Sequence, residues 1–119
     1  MTAPRQSADY VRDILEAVGR AMSFTEGMSF DEFEDDEKTV YAVVRALEVA
    51  GGAAKSVPED MRQRFPRIPW RDLTGMRDKL IHGYFGVSKE IVWKTVTQDL
   101  PGLPGLLTEM LRAVETEES

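Results

Sequence analysis

The 119-residue sequence contains no cysteine and a single histidine, His82. The absence of cysteine excludes disulfide bonds, thiolate catalysis and sulfur-ligated metals. One histidine also argues against a zinc site within one chain, since such sites use several histidine or cysteine ligands. We therefore expect no metal and no other cofactor, so that any chemistry comes from this histidine and other polar side chains.

Long hydrophobic runs are also missing. No window approaches the roughly 20 apolar residues that cross a bilayer, and the N-terminus lacks the basic and apolar stretches of a signal peptide. With 42% hydrophobic residues, the chain has enough apolar material for one core. We expect a single soluble, cytoplasmic domain over residues 1–119, without membrane contact.

The net charge of -6 disfavours a nucleic-acid partner at first sight, but the charge is uneven. Residues 1–61 carry -7, residues 62–94 carry +5 and residues 95–119 carry -4. Local positive potential attracts phosphate, so the basic block predicts a phosphate-binding face. The alternative is ordinary surface arginines and lysines balanced by acidic residues folded nearby.

Alternating β-branched runs are absent, while apolar residues recur at helical spacing. The sequence predicts an all-α, antiparallel bundle of four to five helices. The predicted helices run from about Ser7 to Phe24, Asp35 to Lys55, Trp70 to His82, Ser88 to Leu100 and Pro101 to Glu115, with a shorter one before Pro66.

Local signals place the helix ends. The segments Ser29–Glu32 and Ser56–Glu59 both have the pattern of a capping box. The acidic run Glu34–Glu37 suits a helix N-terminus and lacks the spacing of a calcium loop. The small-residue tract Ala50–Ala54 costs helix propensity, which predicts close approach of another helix.

Arg77 falls within an apolar stripe of the helix that ends at His82. A guanidinium there is costly unless it is paired or faces a polar cleft. One interpretation is a buried ion pair with Glu48 or Asp99, and the other is a ligand-binding arginine. On an ideal helix, position 82 points about 140° away from position 77, so His82 has the alternative role of a helix C-cap. Tyr84 has the alternative of a core aromatic residue whose hydroxyl reaches the surface.

The segment Arg77–Tyr84 resembles the Arg-x4-His-x-Tyr motif of the HepT-like branch of the HEPN superfamily. Similarity extends over essentially the whole chain. It includes Gly27–Phe33, Asp36–Thr39, Ala53–Lys55, Ile68–Arg71, Tyr84–Val87, Ile91–Trp93 and Gln98–Pro101.

This resemblance implies the toxin of a two-gene, type VII toxin–antitoxin module. Such toxins are typically homodimeric, metal-independent endoribonucleases that act on RNA such as tRNA. Their antitoxin is a minimal nucleotidyltransferase of the MntA type, which transfers AMP to the motif tyrosine. By position, Arg77 and His82 would be catalytic and Tyr84 the AMP acceptor, with Asp78 and Lys79 supporting substrate binding.

The chemistry of these residue types agrees with that role. Cleaving RNA without a metal needs a base for the 2′-hydroxyl, an acid for the 5′-oxygen and a cation for the phosphorane. Histidine can serve as acid or base, and arginine can bind two phosphate oxygens. Because one histidine cannot easily play both roles, we expect two-fold dimerisation to bring a second His82 into the same cleft.

Two departures from the family pattern remain open. Gly52 stands where many relatives carry an acidic residue, and Asp78 where many have asparagine. The Asp78 carboxylate would either orient Arg77 or neutralise it. The competing functions are a non-catalytic subunit that binds nucleotide or presents substrate to the transferase, and a plain structural bundle.

Overall fold

The computed structural model describes residues 5–82 and 88–118, apart from the side chains of residues 79–82, and all regular structure in those ranges is helical. The prediction of an all-α bundle is confirmed. The elements are α1 (Ser7–Thr25), α2 (Phe30–Asp35), α3 (Glu37–Ser56), α4 (Glu59–Gln63), α5 (Trp70–His82), α6 (Lys89–Lys94), a π-helical segment (Thr95–Asp99), a 3₁₀ turn (Leu100–Gly102) and α7 (Leu103–Glu118).

Helices α1 and α3 form the centre of the bundle. Helix α5 packs on α3, and α7 packs on α1. Helices α1 and α7 are antiparallel, because the Ala8 N–H donates to Glu118 Oε1 at 3.1 Å and Arg12 lies 3.6 Å from Glu115.

The apolar stripes predicted from sequence form the core. Val11, Ile14 and Val18 of α1 are completely buried, as are Leu107 and Met110 of α7. Burying a Val or Leu side chain contributes about 1.5–3 kcal/mol. The apolar face of α1 is therefore the one that packs against the rest of the bundle.

The connection between α1 and α3 contains an extra short helix. Gly27 adopts a positive φ of 78°, a conformation that favours glycine. Ser29 then caps α2 in the predicted capping box, with Glu32 accepting from the Ser29 N–H. The predicted start of the next helix at Asp35 was slightly wrong, since Asp36 is the N-cap of α3 and accepts from the Thr39 N–H.

The predicted capping box at Ser56–Glu59 was wrong. Ser56 is the last residue of α3, and its hydroxyl donates to the Gly52 carbonyl at 3.3 Å. Helix α4 begins at Glu59 after Pro58, with no side-chain cap. Helix α3 therefore includes the residue that the pattern indicated as the cap of the next helix.

The predicted regular helix from Ser88 to Leu100 is also corrected. Ser88 does cap α6, accepting from the Ile91 N–H, but α6 widens into a π-helical turn closed by the Leu100 N–H and the Thr95 carbonyl. Pro101 accounts for the change. Its ring would clash with the Thr97 carbonyl in a regular α-helix, and it lacks an N–H to donate.

Candidate active site

Helix α5 carries the Arg-x4-His motif, and local sequence fixes where it begins. Pro69 precedes its first residue, Trp70, and the indole N–H of Trp70 donates to the Phe65 carbonyl at 3.0 Å. Leu73 is buried one turn later. Since Arg77 lies one further turn along the same side, its backbone is held against α3.

The contact between α5 and α3 depends on Gly51. A β-carbon at that position would lie 2.5 Å from Arg77 Cβ and 2.8 Å from the Leu73 carbonyl oxygen. Any side chain larger than hydrogen would push the two helices apart. The close approach predicted from the small-residue tract is confirmed, and it occurs at Arg77.

The next residue, Gly52, lies beside the Arg77 side chain rather than its backbone. A β-carbon there would be 3.2 Å from Arg77 Nε and 3.4 Å from Cδ. The arginine stem therefore crosses the surface of α3 above Gly52. The Arg77 side chain is half-buried by this packing.

Within the described ranges, Arg77 has no acidic side chain at ion-pair distance. The suggested partner Glu48 instead pairs with Arg45 at 3.6 Å. The interpretation of Arg77 as a buried ion pair with Glu48 or Asp99 is therefore not supported by these residues. A half-buried guanidinium without an acidic partner is suited to binding an anion.

Asp78 does not neutralise its neighbour through an ion pair in this structure. Its carboxylate oxygen Oδ1 binds the ammonium of Lys55, near the end of α3, and about half of the Asp78 side chain is exposed. This ion pair is different from both roles considered for Asp78, which were to orient Arg77 or to neutralise it. The pair instead joins α5 to α3 beside Arg77, although exposed pairs add little stability.

Three of the predicted site residues have side chains outside the described part of the structure. Position 82 is the last of α5, but the side chains of Lys79 and His82 lie outside the described part of the structure. Tyr84 lies outside the described residues altogether. The described part of the site therefore consists of Arg77, Asp78 and the surface of α3 beneath them.

The basic block divides into paired and unpaired cations. Arg62 pairs with Glu59 at 3.1 Å and Arg64 with Glu117 at 2.6 Å, and the hydrogen bond that Arg64 donates to the Glu117 carboxylate raises the pKa of Arg64. Within residues 5–82 and 88–118, by contrast, Arg71 and Lys94 lack an acidic side chain at ion-pair distance. The interpretation as balanced surface charge therefore applies to Arg62 and Arg64, whereas phosphate binding by the other cations stays a prediction.

A groove of about 910 Å³ lies between α5 and the α6–π–3₁₀ segment. Arg71 and Met76 lie on the α5 side, and Ile91, Lys94 and Gln98 lie on the other. The local sequence does not predict this groove, because its second wall depends on the π-helical turn. The only local signal for that turn is Pro101.

Among the described residues, no group of three or more histidine, cysteine, aspartate or glutamate side chains is arranged to hold a metal ion. Nor does any helix in that part of the chain have the length and apolarity needed to cross a membrane.

A family model described as Ribonuclease HepT-like matches residues 14–110. The chain belongs to this family. It is 48% identical over 101 residues to "Probable ribonuclease HepT" of Thermococcus cleftensis, covering 85% of this chain and 92% of the relative. It is also 42% identical over 109 residues to a protein of Methanocaldococcus jannaschii that carries RNase in its name, covering 92% and 90% of the two chains.

A further relative with RNase in its name, from Caldanaerobacter subterraneus subsp. tengcongensis, is 38% identical over 112 residues, covering 94% of this chain and 97% of the relative. No solved structure matches the chain. The predicted HepT-like ribonuclease family is confirmed.

Proposed function

We propose that this HepT-like protein is a metal-independent endoribonuclease and the toxin of a toxin–antitoxin pair. The observation that carries the proposal is the state of Arg77. Its guanidinium lies above Gly52, half-buried and without an acidic partner among the described residues. A half-buried cation of this kind can bind two oxygens of a phosphodiester and stabilise the charge that develops as the bond is cleaved.

In the proposed reaction, the 2′-hydroxyl oxygen attacks the adjacent phosphorus and the bond from phosphorus to the 5′-oxygen breaks. The base removes the 2′ proton, and the acid gives a proton to the leaving 5′-oxygen. The products are a 2′,3′-cyclic phosphate and a free 5′-hydroxyl. His82 supplies one proton transfer, and His82 of a second protomer supplies the other.

The first test is expression of the wild-type chain, Arg77→Ala, His82→Ala and Arg45→Ala, followed by analysis of cellular RNA, tRNA included, for cyclic-phosphate ends. Wild type and Arg45→Ala should arrest growth and cut RNA, while the two site variants should do neither although they remain folded. Arg45 is the matched control because it is an exposed arginine paired with Glu48. If RNA stays intact with the wild-type chain and with every variant, the protein is instead a non-catalytic binding subunit.

Metal independence and dimerisation each have a direct measurement. Cleavage by purified protein should continue in excess EDTA. Specific activity should fall on dilution in parallel with the dimer fraction measured by sedimentation, because each site needs both protomers. Full activity at concentrations where the protein is monomeric would contradict the shared site.

The proposed regulation is transfer of AMP from ATP to the Tyr84 oxygen by an MntA-type nucleotidyltransferase. The tyrosine oxygen attacks the α-phosphorus and pyrophosphate leaves. Modification adds a bulky anion beside the phosphate-binding arginine, which opposes RNA binding by sterics and repulsion. Mass spectrometry should detect added AMP on the wild-type chain, whereas Tyr84→Phe should stay unmodified and active.

A further inference from the structure

The groove beside α5 contains four charged side chains, and the two cations come from different walls. Arg71 lies on α5 and Lys94 at the end of α6, and the acidic residues are Asp72 and Asp99. All four are exposed. Within the described ranges, none of these acids lies within ion-pair distance of Arg71 or Lys94. The Arg71 guanidinium and the Lys94 ammonium are therefore both available to bind an external anion.

The register of α5 connects this groove to the motif. Positions 71, 78 and 82 fall within about 40° of one another on a helix of 3.6 residues per turn. Position 71 precedes position 82 by about three turns, or roughly 16 Å along the axis. A strand of a few nucleotides that follows this line from position 82 would reach Arg71 and the groove, whereas Arg77 lies about 120° around the helix from position 71.

The wall opposite Arg71 also offers an apolar surface. Ile91 is 65% exposed, although it lies in a helix anchored by buried Val92 and by Trp93, whose ring centre is 5.3 Å from that of Phe33. An exposed branched side chain next to Lys94 can contact the face of an unpaired base while the lysine binds the neighbouring phosphate. Single-stranded nucleic acids are commonly bound by a positively charged groove with aromatic side chains on which bases stack, and Ile91 offers an aliphatic contact in place of an aromatic one.

We propose that the groove is an RNA subsite outside the cleaved bond, in which Arg71 and Lys94 bind backbone phosphates. The assignment rests on the proposed ribonuclease function and extends it to the substrate's flanking nucleotides. Arg71 and Lys94 contribute to binding rather than to bond cleavage, so their loss should raise KM and leave kcat unchanged. Asp72 opposes phosphate binding by like-charge repulsion.

Substrate length separates this role from a structural one. For Arg71→Ala and Lys94→Ala, we expect KM for a long single-stranded oligoribonucleotide to rise about fivefold to tenfold. KM and kcat for a dinucleotide should stay at wild-type values, because a dinucleotide does not reach the groove. Arg77→Ala should impair cleavage of both substrates. An equal loss of kcat/KM on the long oligoribonucleotide and on the dinucleotide for Arg71→Ala would show that Arg71 supports the fold. That result would overturn the subsite.

Binding of a fully 2′-O-methylated oligoribonucleotide gives a readout that needs no cleavage. Arg71→Ala should weaken binding and lower the slope of log K against log salt by about 0.7 per lost phosphate contact. Asp72→Asn should tighten binding about twofold, although it removes a favourable charge from the first turn of α5. Arg64→Ala is the matched control within the basic block, since Arg64 already pairs with Glu117.

The outcomes distinguish the subsite from the proposed function. If wild type cuts no RNA but binds the methylated oligonucleotide through Arg71 and Lys94, the nuclease proposal fails and the subsite stands. If wild type cuts RNA and neither substitution changes length dependence or binding, the subsite fails alone. If Arg71→Ala leaves RNA binding intact and abolishes binding of the nucleotidyltransferase, the groove is a protein-docking surface and the assignment to RNA is wrong.

Discussion

Arg77 shows how a residue's chemistry follows from its neighbours. A guanidinium needs a partner when it is buried, and the sequence offered both an acid and a phosphate as candidates. Packing over Gly52 leaves the guanidinium half-buried and without an acidic partner among the described residues. The phosphate interpretation is therefore the one that the described structure favours.

Arg77→Lys tests whether the planar guanidinium, and not charge alone, is required. Lysine keeps the charge but loses the two parallel N–H donors that match a phosphate. We expect kcat/KM for RNA to fall about tenfold with lysine and about 10²-fold or more with alanine. Urea denaturation should show both variants folded. Equal activity of Arg77→Lys and wild type would mean that Arg77 acts only through its charge.

At the residue scale, sequence alone could identify Arg77 but not its surroundings. Its place in an apolar stripe signalled an unusual arginine. The ion pair between Asp78 and Lys55 depends on how α5 and α3 cross, and no local pattern encodes that crossing. Gly52 is a departure from the family pattern, but no local pattern predicts that it lies against the Arg77 stem.

At the scale of elements, the two adjacent glycines of α3 have different roles. Gly51→Ala should lower the free energy of unfolding by about 1–3 kcal/mol, because its β-carbon would collide with Arg77 Cβ and a backbone carbonyl. Gly52→Ala meets only the flexible end of Arg77, so its stability should rise by up to about 1 kcal/mol through helix propensity. Urea unfolding measures both.

Gly19→Ala is the reference for the glycine pair, because Gly19 lies inside α1 and a β-carbon there would meet nothing within 4 Å. It should gain stability like Gly52→Ala. Equal stability of the Gly51 and Gly52 variants would show that α3 and α5 can separate at no cost in free energy. That result would contradict the close contact at Gly51.

The two predicted capping boxes form a second matched pair. Ser29→Ala should lower the free energy of unfolding by about 1 kcal/mol, since Ser29 caps α2. Ser56→Ala should change it little, because Ser56 ends α3 and donates only to a carbonyl of its own helix. The measurement is the urea midpoint. A larger loss at Ser56 would contradict the observed helix boundaries.

Helices were predictable where the apolar repeat extends over several turns. They were less predictable where a single residue sets the helix geometry or its boundary. Helices α1 and α5 match their predicted spans closely because extended apolar stripes define them. The π-helical turn was missed, and Ser56 was wrongly predicted to cap a new helix. At the π-helical turn the constraint imposed by Pro101 overrides the local pattern, and the second wall of the groove beside α5 depends on that turn.

At the scale of the whole molecule, carboxylates at three helix N-termini link stability to pH. The backbone N–H of Gln6 lowers the pKa of Asp9, that of Ser29 lowers the pKa of Glu32, and that of Thr39 lowers the pKa of Asp36. Because these pKa values are lower in the folded chain, the unfolded state binds more protons at acid pH. The stabilisation is complete at neutral pH and is lost as the pH falls below about 4.

We therefore expect the free energy of unfolding to fall between about pH 5 and pH 3, and the fall to be shallower in Glu32→Gln and Asp36→Asn. Each substitution removes a group that must be protonated on acidification, so the variants should be less stable than wild type at neutral pH and approach it at pH 3. Urea midpoints across this range measure the effect. Glu26→Gln is the control, because Glu26 follows α1 and caps no helix N-terminus. Parallel pH profiles for all four proteins would place the acid sensitivity in other carboxylates, and the N-terminal caps would then contribute nothing to it.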